Sequence, residues 1–139
     1  MREIKFRAWV KSEKRMIVWK DIVKFAETIV TIDRSYLANL DDLIIMQYTG
    51  FKDKNGKEIY EGDIVILKQE KYVVMFDEKG GESANEGLVR FIGFYFSPVE
   101  KEKSYYDTYS MLNDCGDVRK CEVIGNIFEN PELLKVKNK

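Results

Sequence analysis

The chain opens on an alternation. Ile4, Phe6, Ala8 and Val10 are apolar, and Lys5, Arg7 and Lys11 between them are charged, a period of two that predicts a strand with a core face and a basic outer face. Trp9 falls on the charged side. The polar run Lys11-Ser-Glu-Lys separates this strand from a second over Arg15 to Trp19, so an N-terminal β-hairpin is expected. Between Ile22 and Ile32 two periods compete: Ile22, Phe25 and Ile29 have helical spacing, whereas Thr28 to Ile32 is β-branched throughout. The β-branched run favours a strand there.

Leu43-Ile-Ile-Met-Gln-Tyr-Thr, ending at Gly50, predicts a further strand, and Asp53-Lys-Asn55-Gly56 is the clearest turn, because Asn and Gly tolerate positive φ. A Gly62-Asp63 corner then leads into the apolar run Ile64 to Leu67, with Tyr72 to Phe76 as its hairpin partner across Lys68-Gln-Glu-Lys. Residues 77–87 combine three glycines with charged side chains and no large apolar one, the pattern of an exposed, mobile loop. Leu88 to Phe96 resumes as a strand rich in aromatic residues. In the polar stretch 101–118, Tyr106, Tyr109 and Leu112 fit one face of a short helix or an irregular loop equally well. Cys121 to Gly125 predicts a last strand, and Asn130-Pro131 reads as an N-cap followed by proline at the first helical position. The expected fold is mainly β: a small barrel with an N-terminal hairpin region and one or two short helices.

Composition supports one core. At 139 residues, 45% hydrophobic and with only two prolines, the chain fits a single domain over 1–139, divided here into an N-terminal β segment (1–45) and a barrel-like part (46–139). The longest apolar runs are far below the roughly 18 residues that span a bilayer, and the start lacks a secretory pattern. A cytoplasmic protein without membrane contact is expected. Cys115 and Cys121 are expected as free thiols.

The chain contains no histidine, which excludes Ser-His-Asp and Cys-His nucleophile systems and mixed Cys/His zinc sites. Glu58, Glu61 and Asp63 are the nearest approach to an acid-base or metal cluster, and nothing supplies its other half. No enzyme activity, catalytic residue, metal or cofactor is expected. Lys52, Lys54 and Lys57 around the turn, mixed with Asp53 and Glu58, read as a solvated tip, and the aromatic residues 91–96 as core.

The net charge of -1 conceals a segregation. Residues 1–24 hold Arg2, Lys5, Arg7, Lys11, Lys14, Arg15, Lys20 and Lys24 against Glu3, Glu13 and Asp21, whereas 25–48 and 73–100 are acidic. Such a chain suits head-to-tail binding of its own copies, and a homo-oligomer is expected. Arg2, Lys5, Arg7, Trp9, Lys11, Lys14, Arg15 and Trp19 also form a candidate partner or single-stranded nucleic-acid surface, cations for phosphates and rings for bases.

Three stretches together resemble the YopX-like proteins of phages and prophages: Met1-Arg-Glu-Ile-Lys-Phe-Arg-Ala-Trp9, Met46-Gln-Tyr-Thr-Gly-Phe-Lys-Asp-Lys-Asn-Gly-Lys-Glu-Ile-Tyr-Glu-Gly-Asp-Ile-Val65, and Glu122-Val-Ile-Gly-Asn-Ile-Phe-Glu-Asn-Pro-Glu-Leu-Leu134. Such proteins often carry an acidic residue after the first tryptophan, where this chain has Val10. The resemblance implies a phage-derived protein of bacterial cytoplasm with an SH3-like barrel, and it brings no activity. It gives structural roles to Gln47, Tyr48, Gly50, Asn55, Gly56, Gly62 and Asp63 in the barrel turns, and to Gly125, Asn130 and Pro131 in joining the last strand to a closing helix. The partner expected is a host or phage macromolecule.

Overall fold

The computed structural model describes residues 3–29, 41–83, 87–100, 109–110 and 118–135. Two antiparallel sheets make up the fold. The first contains β1 (Phe6–Val10), β2 (Arg15–Ile17), β3 (Leu43–Lys52) and β4 (Glu58–Tyr60) in the order β2-β1-β3-β4. The second contains β5 (Asp63–Leu67), β6 (Glu70–Ser83), β7 (Gly87–Pro98), β8 (Tyr109–Ser110) and β9 (Glu122–Asn126) in the order β8-β7-β6-β5-β9. One sheet curls into a half-barrel, so the mainly β, small-barrel expectation holds. The division at 45/46 falls inside β3, and the first sheet therefore draws on both segments.

The core lies on the inner face of the second sheet. Val65 and Leu67 of β5, Tyr72 and Val74 of β6, Phe94 and Phe96 of β7 and Val123 of β9 pack with Ile59, Val118 and Cys121. Their spacing follows the pleat, since alternate residues of a strand reach the same face. Phe94 and Phe96 thus take the expected core role, and Tyr95 is buried as well. Burial pushes the Cys121 thiol up to about 12, consistent with an inert packing thiol. Cys115 lies outside the described residues.

Several expectations need correction. Residues favoured as a strand from Ile22 belong to helix α1 (Trp19–Ile29), and Trp19 opens that helix instead of closing β2. Through Ile29 the helical spacing of Ile22, Phe25 and Ile29 prevails over a β propensity worth only tenths of a kcal/mol per residue, and residues 30–32 of the β-branched run lie outside the described residues. The Phe6 and Trp19 rings meet at 5.8 Å, setting α1 against β1. The expected loop at 77–87 is strand through Ser83, and pairing with β7 continues rung by rung from Asp77↔Gly93 to Ser83↔Gly87. Glycine and charge do not prevent pairing there, and residues 84–86 lie outside the described residues. Asn130 does precede a 3-10 helix, Pro131–Leu134, but makes no side-chain cap. Its Oδ1 accepts the Asn126 N–H at 3.2 Å instead. A Cβ at Gly125 would sit 2.5 Å from that oxygen, which explains the glycine.

The largest correction concerns β1, whose two faces are both covered. Ala8, Trp9 and Val10 are all buried, so the charged face expected to meet solvent is an interior seam between the sheets.

Candidate binding cleft

The seam is built on a tight corner. Gly62 has φ +85°, and a Cβ there would lie 3.2 Å from Met46 Sδ, so glycine is needed for both conformation and space. The corner directs Asp63 inward, where its carboxylate accepts the Tyr60 N–H at 2.8 Å. Arg7, arriving from β1, pairs with the same carboxylate at 2.7 Å. Its side chain also donates to the Glu61 carbonyl at 3.2 Å, and its guanidinium lies 4.9 Å from the Tyr60 ring centroid. Burial pushes the Asp63 carboxyl up from its ordinary value, while Arg7 and the Tyr60 N–H pull against that rise. Arg7 Nε is buried and has no acceptor among the described residues.

Two residues earlier on the same face, Lys5 pairs with Glu58 and, at 3.2 Å, with Glu3. Its ammonium stands 5.3 Å from the Tyr48 ring, which in turn packs 5.4 Å from Tyr60. The Glu58 hydrogen bond raises Lys5 above the ordinary lysine value. Burial pushes Glu58 up, but Lys5 and the Tyr60 hydroxyl outweigh it and hold the carboxyl below its usual range. The Tyr60 hydroxyl is pushed up to about 12 by burial and by Glu58. Both carboxylates thus serve as struts for cations.

Above these struts opens a cleft of about 470 Å³, walled by Lys5, Arg7, Lys20, Lys57, Trp19 and Tyr60, with Met16, Val18 and Glu58 completing it. Of the residues expected at a partner or nucleic-acid surface, Lys5, Arg7 and Trp19 meet here. Trp9 does not, because it is stacked on Phe128 at 5.6 Å. Lys11 and Lys14 are exposed on the turn between β1 and β2, and Arg15 beside it pairs with Glu13 at 2.8 Å. Arg2 lies outside the described residues. Lys20 and Lys57 were not singled out for this site, since no local pattern links a helix start to a hairpin tip.

The turn residues hold the frame. Gly50 and Gly56 take positive φ, Asn55 is exposed in its turn, Tyr48 is buried, and the Gln47 carbonyl accepts the Glu61 N–H at 2.9 Å. Asp53 has a larger part than its turn position suggested. Its Oδ1 accepts the Asn55 and Lys57 N–H groups and its Oδ2 accepts that of Val123, each at 2.9 Å, tying the β3–β4 turn to β9. Among the described residues no group of three or more Cys, Asp or Glu is placed to hold a metal ion, and no helix is long and apolar enough to cross a membrane.

This frame can be compared with known proteins. The family described as YopX protein matches residues 5–135. The chain belongs to the YopX family. Among solved structures, it is similar to the crystal structure of protein EF1440 from Enterococcus faecalis, at 23% identity and a TM-score of 0.53, covering 97% of this chain and 100% of that one. That likeness shows a shared fold. No curated protein matches the chain. The matched range contains every residue that lines the cleft.

Proposed function

We propose that this YopX-family chain is a non-enzymatic binding module that self-associates, an accessory factor of phage or prophage origin working in the host cytoplasm on a host or phage macromolecule. The paired far part of β6 and β7 carries the reading. β5 pairs with β6 only as far as Val73, and β8 pairs with β7 only at Tyr95 and Phe96. From Asp77↔Gly93 to Ser83↔Gly87 the two strands therefore form a ribbon with no third strand among the described residues. An isolated two-stranded ribbon is marginal in water, and its unpaired edges are templates for another strand. A second copy of the chain offers such an edge. The strut role of Glu58 and Asp63 further supports binding over acid-base chemistry.

Light scattering after size exclusion tests this. A mass above the monomer is expected at high concentration, falling to the monomer when residues 78–92 are replaced by a short Asn-Gly turn. A salt-insensitive monomer at high concentration overturns it.

A second reading, single-stranded nucleic-acid binding, is favoured by the cleft, where Lys5, Arg7, Lys20 and Lys57 surround a tryptophan. It predicts oligonucleotide binding that weakens steeply with salt. The informative variant is Lys20→Glu/Lys57→Glu, because replacing Arg7 would also strand Asp63.

A further inference from the structure

Lys5 and Arg7 are committed to Glu58 and Asp63. Lys20 and Lys57 line the same cleft and make no ion pair with any described residue. They bring two further cations to it, one from α1 and the other from the residue before β4. The helix adds to it. The Val18 carbonyl accepts the Asp21 and Ile22 N–H groups at 3.0 and 3.1 Å, which puts Val18 in the capping position with no side-chain oxygen to return. The first-turn N–H groups of Trp19 and Lys20 have no acceptor within the helix and stand at its positive pole, and both residues line the cleft. Beside these donors, Met16, Val18 and the half-buried Trp19 give an apolar and aromatic side to the same space.

An anion alone would leave that side unused, and an apolar ligand would leave the lysines unanswered. A ligand with both characters answers both, and about 470 Å³ lies within the range of small-ligand sites. We propose that the cleft binds a phosphate ester carrying a planar ring, a nucleotide, with its phosphate between Lys20, Lys57 and the start of α1 and its base against Trp19. The nucleotide is either free or one unit of a strand. This deepens the second reading above and rests on it.

The test uses the two tryptophan indole N–H signals in NMR, with Trp19→Phe for assignment. Adenosine 5′-monophosphate, inorganic phosphate and short oligothymidylates with and without a 5′-phosphate are titrated at low salt. The Trp19 signal is expected to move with the nucleotide, while that of Trp9, stacked on Phe128, stays. Affinity is expected to fall about tenfold or more in Lys20→Glu/Lys57→Glu, a difference of roughly 1.4 kcal/mol, with the Trp9 signal confirming an intact fold. Equal affinity for free nucleotide and oligothymidylate points to a free nucleotide, and stronger binding of the oligothymidylate points to a strand. A silent Trp19 with every probe, or unchanged affinity in the double variant, overturns the proposal. An oligothymidylate that binds while Trp19 is silent removes the cleft but keeps the second reading; binding by none of the probes removes both. The same Trp19 shift with inorganic phosphate alone, at equal affinity, refutes the role of the ring.

Discussion

Replacing Asp53 by asparagine changes one heavy atom and tests the frame most directly. The side chain is buried and accepts three backbone N–H bonds, two within its turn and one from Val123 on β9. In Asp53→Asn, Oδ1 still serves Asn55 and Lys57, as a neutral acceptor. At the other position an NH₂ group faces the Val123 N–H, donor against donor. The loss is one bond to a charged acceptor, about 1.5–3 kcal/mol, with a buried donor left unsatisfied. Weakening of the two remaining bonds adds to this, so about 3 kcal/mol is expected. With a urea slope near 1–3 kcal/mol/M for a domain of this size, the unfolding midpoint drops by roughly 1–3 M.

The pH dependence has a definite sign. Burial pushes the Asp53 carboxyl up, but the three N–H donors together outweigh it and hold it below its ordinary value. Its stabilisation is therefore fully present above the unfolded-state value, about 3.9, and is lost as pH falls through the lower folded-state value. Asparagine does not titrate. The gap between wild type and variant should stay level from neutral pH downward and narrow only in acid. A neutral-pH gap below about 1 kcal/mol would refute the clamp, as would a gap that widens on acidification.

Other outcomes follow from the same geometry. Arg7→Met should cost about 3–5 kcal/mol by leaving Asp63 buried and unpaired, and Arg7→Met/Asp63→Asn should recover part of it. Without Arg7 the Asp63 carboxyl rises further above its unfolded value, so the single variant's deficit should shrink as pH is lowered, read by denaturation at each pH; a deficit that grows in acid contradicts this. Gly62→Ala should lower stability by about 1–2 kcal/mol from its positive φ alone, and Met46 must also move. Gly56→Ala, with φ +80° but nothing within 4 Å, should lose only the backbone part; equal melting shifts for the two would show that Met46 crowding is unimportant. In a Cys115→Ser background, Cys121 should resist iodoacetamide at pH 8 until the protein unfolds, and rapid labelling of native protein would contradict its burial.

The strands were legible in the sequence wherever local chemistry governed. The strand backbone of Phe6 to Val10, the Asn55-Gly56 turn and the Gly62-Asp63 corner each depend on residues within a few positions, and the structure has them as expected. The errors arose where a residue's partner is distant in sequence. Nothing near Arg7 announces Asp63, and nothing near Trp9 announces Phe128, so a charged strand face looked like a solvent face. The ribbon was misread for another reason: glycines and charges lower strand propensity, but twelve paired rungs with β7 fix the backbone. Sequence-based reading of the cleft found Lys5, Arg7 and Trp19 from composition, and missed Lys20 and Lys57 because three separate elements bring them together.

The reach of the Asp53 clamp has a consequence for synthesis. Its last donor lies 70 residues downstream, so on a ribosome adding about 5–20 residues per second the carboxylate waits roughly 4–14 seconds for Val123. Through that interval β5 also lacks its neighbour β9. A nascent or prematurely terminated chain therefore displays Asp63–Leu67, an apolar strand, as an open edge, and that species is the one a chaperone or protease would meet first.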